Sequence, residues 1–258
     1  MTFKKAFHQT MTNSDQQWNI PPENITLQDN EVHVWRASLN TPLADIEALK
    51  RLLSDEEVTR AERFYFEKGR HGYIVAHGIL RILLGRYLTV DPRQLRFQTN
   101  AYGKPSLENT AHNRRLHFNL SHSHELAAYA FTAIGEVGID IEYTQTHVEY
   151  EELAKHSFSP YESAVLHDLP ESMKQEAFFN CWTRKEAYIK ARGMGLSLPL
   201  HLFDVSLKPG EPAALLHSRE NAQEVTRWTF EAMTMPPEYA GALAVEGHGW
   251  DARYWQWE

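Results

Sequence analysis

The hydrophobic and polar positions at the start of the chain predict one strand and two helices. Residues 31–39 alternate apolar and polar side chains, which is the spacing of a half-buried β-strand. Ser54 followed by three acidic residues is typical of a helix start and predicts a helix over about 55–67. An apolar stripe predicts a longer helix over about 69–88. Residues 1–30 are polar and contain a Pro-Pro break, so we expect a loose N-terminal arm.

The rest of the chain mixes strands and helices. Strands are predicted near residues 94–98, 115–120, 126–132, 136–142, 202–207, 225–232 and 239–246. Helices are predicted over residues 149–156, 160–168 and 171–192, the last ending at Gly193. Long helices and several strands in both halves predict an α+β fold. We expect an N-terminal α/β half over 31–124 and a C-terminal α/β half over 125–258.

Composition sets the class of protein. Apolar residues make up 42% and charged residues 23% of the 258 residues, as in a packed globular protein. The single cysteine, Cys181, excludes an internal disulfide, and its helical context beside Trp182 favours a small buried hydrophobe over a nucleophile. No stretch resembles a membrane span, and a net charge of −8 argues against general nucleic-acid binding. We therefore expect a cytoplasmic enzyme without a membrane or nucleic-acid partner.

The charge is unevenly distributed along the chain. One stretch contains two acidic residues and six basic ones, namely Arg60, Arg63, Lys68, Arg70, Arg81 and Arg86. A basic surface on an acidic protein suits an anionic ligand or partner. The pattern fits a solvated helix face with mixed charges equally well.

Two acidic residues on the predicted strand 136–142 are the first candidates for chemistry. Period-two alternation puts Gly138, Asp140 and Glu142 on one face of this strand. Two carboxylates about 7 Å apart on a strand can share a hard divalent cation, and the small Gly138 leaves room beside them. An ordinary strand whose acids face water fits the same pattern.

The predicted helix 171–192 supplies a third carboxylate. Phe179, Trp182, Glu186 and Lys190 are three, four and four residues apart, so they lie along one stripe. A surface Glu-to-Lys pair would explain the last two, but the aromatic residues upstream indicate that the stripe faces protein. A buried carboxylate and ammonium are costly without partners, and a metal ion and a phosphate would supply them.

A strand end rich in histidine and serine precedes these acids in the chain. Alternation puts His122 and His124 on one side, and Asn119, Ser121 and Ser123 on the other. Hydroxyls, imidazole and exposed backbone N–H groups suit phosphate oxygens. A zinc site at the two histidines is the alternative, but the nearby carboxylates favour a harder ion and no third nitrogen or sulfur ligand has convincing spacing.

Four motifs follow one another along the chain. They are Gly-Lys-Pro at 103–105, Phe-Asn-Leu-Ser-His-Ser at 118–123, Gly-Ile-Asp-Ile-Glu at 138–142 and Phe-x-x-x-Trp-x-x-Lys-Glu-Ala-x-x-Lys at 178–190. In this order they resemble the 4′-phosphopantetheinyl transferases. The match is closer to the long, surfactin-synthetase-activating type than to the short, trimeric holo-acyl-carrier-protein synthases. The resemblance covers roughly residues 55–207. The Asp-x-Glu pair and the last motif are specific in combination, whereas Gly-Lys-Pro is not.

The resemblance implies a fold and a reaction. It implies a monomer of two similar α/β halves related by a pseudo-twofold, with coenzyme A bound in the cleft between them. It implies transfer of the 4′-phosphopantetheine arm to a serine of an apo acyl or peptidyl carrier protein, with release of adenosine 3′,5′-bisphosphate. The implied cofactor is Mg²⁺, with Mn²⁺ as a substitute, and coenzyme A is a substrate.

The resemblance also implies roles for single residues. Asp140, Glu142 and Glu186 match the metal ligands, and Lys190 matches the lysine proposed to neutralise or protonate the leaving phosphate. Glu186 is in addition the candidate base for the carrier serine. The positions that match coenzyme contacts are Arg60, Lys104, Pro105, Ser121, His122 and Lys185. His124 stands where many relatives have a glycine.

Two other classes of protein are weighed against this prediction. An acyl-CoA N-acyltransferase has a diphosphate loop that Arg192, Gly195 and Ser197 match only partly, and such an enzyme would not need three carboxylates. A non-catalytic coenzyme A sensor or carrier-binding module would keep the cleft without needing Glu186 or Lys190, and both are present. The transferase is therefore the prediction.

Overall fold

The computed structural model describes residues 16–108, 116–145 and 149–258, which form eleven strands and seven helices. The strands are β1 (Glu31–Ser38), β2 (Phe97–Thr99), β3 (Pro105–Leu107), β4 (His117–Ser123), β5 (Leu126–Thr132), β6 (Val137–Tyr143), β7 (Phe203–Val205), β8 (Leu215–Ser218), β9 (Trp228–Ala232), β10 (Tyr239–Glu246) and β11 (Asp251–Gln256). The helices are α1 (Leu43–Lys50), α2 (Asp55–Glu62), α3 (Glu67–Leu88), α4 (Tyr150–Ser157), α5 (Pro160–Asp168), α6 (Glu171–Arg192) and α7 (Glu224–Arg227). This is the α+β class predicted from the sequence.

Two larger sheets make up the centre of the described structure. One has the strand order β11-β1-β5-β4, with β1 parallel to β11, and the other has the antiparallel order β6-β10-β9. Side chains from both sheets share one apolar cluster, in which Val34 and Ala130 of the first sheet join Ile139, Ile141 and Leu243 of the second. The opposite face of β5 is buried as well, which explains why this strand is an almost continuous apolar run.

Each of these sheets packs against one helix of 22 residues. Alternate residues of β1 and β5, such as Trp35 and Phe131, share a cluster with Leu83 of α3. Ala187 of α6 packs with Ala244 of β10 in a separate cluster. The arrangement of one long helix per sheet agrees with the two-lobed fold implied by the motifs. No helix in the described part of the chain is both long and apolar enough to span a bilayer.

Several elements differ from the prediction. Helix α1 and strands β3 and β8 were not predicted, and residues 224–227 are helical where a strand was expected to start. Strand β11 was not predicted either, and it brings the rings of Trp255 and Trp257 to centroid distances of 6.3 and 6.4 Å from the ring of Trp35. A strand whose partner lies some two hundred residues away carries no local signal of its pairing.

The described part of the N-terminal arm is attached to the body rather than loose. The Trp18 indole donates a hydrogen bond to the Thr234 carbonyl, the Asn19 amide donates to the Tyr254 carbonyl, and Leu27 is buried. Residues 1–15 lie outside the described residues. Strands β5 and β11 follow residue 124 in the chain but join the sheet of β1, and the division of the chain at 124 stays a prediction.

Candidate active site

Gly138 allows helix α6 to approach strand β6 at backbone contact. A Cβ atom at this position would lie 2.0 Å from the Ala187 carbonyl oxygen and 2.4 Å from the Ala191 amide nitrogen. The room predicted beside Gly138 is therefore filled by the helix backbone. Because the two backbones touch here, the next two side chains on the same face of β6, Asp140 and Glu142, meet the side chains of α6.

Asp140 lies at this contact and is almost fully buried, with 3% of its surface exposed. Its Oδ1 accepts hydrogen bonds from the Lys190 ammonium at 2.6 Å and from the Ser121 hydroxyl at 2.9 Å. Its Oδ2 is buried and has no hydrogen-bond partner among the described residues. Burial raises the pKa of Asp140, and Lys190 and Ser121 oppose this shift. An orphaned carboxylate oxygen is costly, and a cation would satisfy it.

Glu142 and Glu186 complete a group of mutually repelling acids. Glu142 Oε2 accepts a hydrogen bond from the Ser123 hydroxyl at 3.1 Å, and burial and the charge of Asp140 raise the pKa of Glu142. Burial raises the pKa of Glu186 to about 7, and the charges of Asp140 and Glu142 add to this shift. Lys190 is the ammonium that acts against the shifts of all three acids. The group therefore carries excess negative charge that a divalent cation would neutralise.

A fully formed metal site is not seen in the described ranges, since no group of three or more His, Cys, Asp and Glu side chains there is arranged to hold an ion. The donor chemistry nevertheless fits a hard cation, because it consists of carboxylate oxygens, one of them orphaned. His124, one of the two candidate zinc ligands, instead stacks on Tyr143 with ring centroids 4.3 Å apart. The backbone φ of His124 is +53°, in the left-handed region that glycine adopts most easily. This conformation explains why a glycine suits this position in the related proteins.

A cavity of about 990 Å³ lies next to the acids and extends to the start of α2. Five of the predicted site residues line it, namely Arg60, Pro105, Ser121, His122 and Lys190. Arg93 and Arg96 add basic groups to the lining. The lining also contains four acidic residues, Asp55, Glu56, Glu57 and Glu108, against five basic ones. The volume suits a ligand of the size of a nucleotide, and the basic side chains offer partners for its phosphate groups.

Lys104 has a structural position that the sequence did not predict. Its ammonium pairs with the Glu136 carboxylate and donates a hydrogen bond to the Ala191 carbonyl at 2.8 Å, while the neighbouring Asn100 side chain donates to the Gly193 carbonyl at 2.7 Å. Burial lowers the pKa of Lys104, and Glu136 opposes that shift. The side chain therefore holds the turn at Gly103 against the end of α6, and the contact of Lys104 with the coenzyme stays a prediction.

Lys185 is buried away from the cavity. Its ammonium lies 2.7 Å from Glu162 Oε2, both side chains are fully buried, and it donates to the carbonyls of Leu200 and Phe203. The coenzyme contact of Lys185 stays a prediction, and this position gives it no support. The reason is helical geometry. Lys185 precedes Glu186 by one residue, so its side chain is rotated by about 100° around α6 and points into the core near Phe203.

His77 of α3 is a cavity residue that the sequence reading missed. Its ring stacks on Tyr73 with centroids 3.8 Å apart, and its Nδ1 donates to the Tyr73 carbonyl at 3.0 Å. Burial lowers the pKa of His77 to about 4, so the imidazole is neutral near pH 7. The i, i+4 spacing of Tyr73 and His77 on a predicted helix was the available signal.

The basic stretch of the sequence divides into buried and exposed residues. Arg81 is buried, where it pairs with Glu57 at 2.8 Å, and Arg86 lies over the Trp257 ring at 4.9 Å. The predicted basic surface is therefore smaller than the sequence indicated. Arg86, at the far end of α3, is exposed as well. The exposed residues around the start of α3, which we call the α2–α3 surface, are Arg60, Arg63, Tyr65, Phe66 and Lys68, with Tyr65 89% and Phe66 74% exposed. The exposed acids Glu62 and Glu67 lie among them.

Comparison with known proteins decides the family. The model of the 4′-phosphopantetheinyl transferase superfamily matches residues 136–244, and the model of the 4′-phosphopantetheinyl transferase N-terminal region matches residues 35–133. The chain belongs to the 4′-phosphopantetheinyl transferase superfamily. Members of this family transfer the phosphopantetheine arm of coenzyme A to carrier proteins, so coenzyme A is a substrate of the family.

Three relatives show how far the likeness of this transferase extends. The 4′-phosphopantetheinyl transferase HetI of Nostoc sp. is 39% identical over 93% of this chain and 98% of its own length. The 4′-phosphopantetheinyl transferase Sfp of Bacillus subtilis is 34% identical over 62% of this chain and 69% of its own. The human L-aminoadipate-semialdehyde dehydrogenase-phosphopantetheinyl transferase is 26% identical over 76% and 67%. The long, surfactin-synthetase-activating type predicted from the motifs, which is the Sfp-like type, is confirmed.

The N-acyltransferase alternative loses its main support in the structure of this transferase. Arg192, which would have to hold a diphosphate, donates to the Tyr188 hydroxyl at 2.8 Å and pairs with Glu224 at 3.0 Å. The Arg192 guanidinium is therefore bound by protein side chains rather than presented in a phosphate-binding loop.

Proposed function

We propose that this transferase moves the 4′-phosphopantetheine arm of coenzyme A onto a serine of an apo acyl or peptidyl carrier protein. The serine oxygen forms a bond to the phosphorus next to pantetheine, and the bond from that phosphorus to adenosine 3′,5′-bisphosphate breaks. The observation that carries the proposal is the group formed by Asp140, Glu142, Glu186 and Lys190, because it joins clustered acids to an ammonium that lines the cavity.

We propose that Asp140, Glu142 and Glu186 hold Mg²⁺, with Mn²⁺ as a substitute. The orphaned Oδ2 of Asp140 and the raised pKa values of all three acids support this assignment. The bound ion would supply charge neutralisation and polarisation at the diphosphate. The three carboxylates would then become ionised together, because the ion replaces their mutual repulsion with attraction.

Glu186 and Lys190 are the proposed catalytic residues. With the ion bound, Glu186 would be an ionised carboxylate, which can accept the proton of the attacking serine. The Lys190 ammonium lines the cavity and lies 2.6 Å from Asp140 Oδ1, so its charge can neutralise the leaving phosphate. Both groups lie on one face of α6, one helical turn apart.

The coenzyme contacts that we propose are Arg60, Pro105, Ser121 and His122. All four line the cavity, and Arg60 supplies a fixed positive charge for the phosphate groups. Lys104 and Lys185 act through the fold, since their ammonium groups are bound by protein carbonyls and carboxylates.

We propose that the carrier protein docks on the α2–α3 surface. Exposed rings flanked by arginine and lysine favour a partner with an apolar patch and acidic residues beside it. A monomer, as the family resemblance implies, located in the cytoplasm, as the composition led us to expect, completes the proposal.

The experiment is an intact-mass assay with a panel of purified apo carrier proteins. Incubation with coenzyme A and Mg²⁺ should add the mass of one phosphopantetheine group to at least one carrier, and chelation of the metal should prevent this. A carrier whose acceptor serine is changed to alanine is the control. If every carrier in a diverse panel kept its apo mass, the proposal would be wrong.

A further inference from the structure

Strands β4 and β6 are joined by side chains in addition to their packing. Three alternate side chains of β4 accept hydrogen bonds from three alternate amides of β6. The bonds run from the Ile139 amide to Asn119 Oδ1 at 2.9 Å, from the Ile141 amide to Ser121 Oγ at 3.3 Å and from the Tyr143 amide to Ser123 Oγ at 3.0 Å. Each side chain thus takes the place of a carbonyl that a paired strand would offer. The three bonds fix the register of β6 against β4.

The two serines of this ladder also reach the carboxylates. A hydroxyl has one proton to donate, and in each serine the β6 amide occupies an acceptor site, which leaves the proton for another partner. Ser121 donates its proton to Asp140 Oδ1 at 2.9 Å, and Ser123 donates its proton to Glu142 Oε2 at 3.1 Å. Each serine therefore connects the backbone of β6 to an acid on the same strand.

The two acids depend on their serines to different degrees. Asp140 is also held by the Lys190 ammonium at 2.6 Å and is 4% exposed at its side chain. Glu142 is held by Ser123 and by a hydrogen bond from Trp182. A glutamate has three side-chain torsions to restrict, so loss of the Ser123 hydroxyl should free Glu142 more than loss of Ser121 would free Asp140.

We propose that Ser123 is a positioning residue of the metal site, which orients the Glu142 carboxylate toward the ion. The inference rests on the proposed role of Glu142 as a metal ligand. Groups that hydrogen-bond to a ligating carboxylate restrict its orientation, and their removal weakens metal binding by about 10- to 100-fold. Ser123 would do this while its oxygen remains anchored to the Tyr143 amide.

The test is binding of Mn²⁺ to the metal-free full chain, measured from the electron paramagnetic resonance signal of the free ion, without substrate or turnover. Ser123→Ala should weaken binding about 10-fold. Ser123→Thr keeps the hydroxyl and should bind within about 2-fold of wild type. The matched control is Thr132→Val on β5, because Thr132 Oγ1 likewise donates to one group, the Glu31 carbonyl, and accepts from another, the Ile134 amide.

The outcomes separate this inference from the proposed function. The role of Ser123 would be overturned, and the metal site would remain, if Ser123→Ala bound Mn²⁺ with unchanged affinity. The same holds if Ser123→Thr or Thr132→Val lost as much affinity as Ser123→Ala. Failure of the wild-type chain to bind Mn²⁺ would overturn both the metal site and the role of Ser123. If Ser123→Ala is too unstable to purify, Ser123→Cys, which has the same branching but a larger and weakly hydrogen-bonding side-chain atom, is judged by the same affinity.

Discussion

The Lys190 ammonium lies 2.6 Å from Oδ1 of Asp140, across the contact between helix α6 and strand β6. This distance is possible because Gly138, two residues before Asp140, has no side chain to separate the two backbones. The pair joins the proposed catalytic ammonium to a proposed metal ligand. One oxygen of Asp140 is thereby committed to protein, and its other oxygen is the one without a partner among the described residues.

Breaking this pair should reduce both stability and transfer. Lys190→Met leaves a buried carboxylate without its ammonium, so we expect a loss of about 2 kcal/mol in the free energy of unfolding, together with loss of transfer. Asp140→Asn combined with Lys190→Met should recover most of that stability but not the activity. Urea unfolding of the four members of this double-mutant cycle measures the coupling. Additive effects on stability would show that the two groups do not interact.

Glu186→Gln should lower the rate of transfer by at least about 100-fold, because the amide neither accepts the serine proton nor binds a metal ion well. The thermal midpoint should be unchanged or higher, since one of three repelling acids becomes neutral. The measurements are the intact-mass time course and a thermal scan. Glu171→Gln, at the exposed start of the same helix, is the control and should act as wild type. Near-normal turnover of the Glu186 variant would remove this residue from the site.

His77 should make the chain less stable in mild acid. Burial lowers the pKa of its imidazole to about 4, whereas the unfolded imidazole takes up a proton near pH 6.5. The unfolded state therefore binds more protons in this window, and the free energy of unfolding falls as pH decreases from about 6.5 to 4, by up to about 1.4 kcal/mol per pH unit.

The variant that tests this is His77→Asn, whose amide can still donate to the Tyr73 carbonyl but does not titrate. Its stability should depend less on pH over the same window, as measured by urea unfolding at several pH values. His167→Asn, at an exposed position of α5, should keep the wild-type dependence. Identical pH profiles for wild type and His77→Asn would contradict the prediction.

Lys185→Met should destabilise the fold by about 3 kcal/mol, because Glu162 would remain buried as an unpaired charge. Coenzyme A affinity of the folded variant should stay within about 2-fold of wild type, since the ammonium lies outside the cavity lining. Calorimetric titration with coenzyme A and urea unfolding separate these effects. Lys155→Met, which removes an exposed pair with Glu152, should cost less than about 1 kcal/mol. A large loss of affinity at unchanged stability would restore Lys185 as a coenzyme contact.

Charge reversal on the α2–α3 surface should weaken carrier binding alone. Arg63→Glu combined with Lys68→Glu should raise the KM for the carrier about 10-fold, with an effect that shrinks at high salt, while coenzyme A affinity is unchanged. Lys68 pairs with Glu125 at the surface, and an exposed pair of this kind contributes little to stability. Lys155→Glu, on the exposed face of α4, is the matched control. Equal losses of carrier and coenzyme A binding would refute the docking surface.

The features that follow from local periodicity were predictable. Alternation along β4 and β6 predicted Asn119, Ser121 and Ser123 on one face of the first strand, and Asp140 and Glu142 on one face of the second. That these two faces meet was not predicted, and the structure shows it. The helix predicted over 171–192 is α6, Glu171–Arg192, with Glu186 and Lys190 directed toward the acids. Backbone geometry fixes periods of 2 and 3.6 residues in any context, so such patterns can be read from the chain alone.

The order of motifs was sufficient to identify the family and to select the acids, but the partners of each charge depended on tertiary structure. Lys104 and Lys185 match the family motifs, yet their ammonium groups are bound by Glu136 and Glu162, which no local spacing connects to them. Gly138 leaves no room for an ion because a helix some fifty residues later occupies that space. A lysine carries the same charge wherever it lies, and only the folded chain decides whether a carboxylate, a carbonyl or a ligand compensates it.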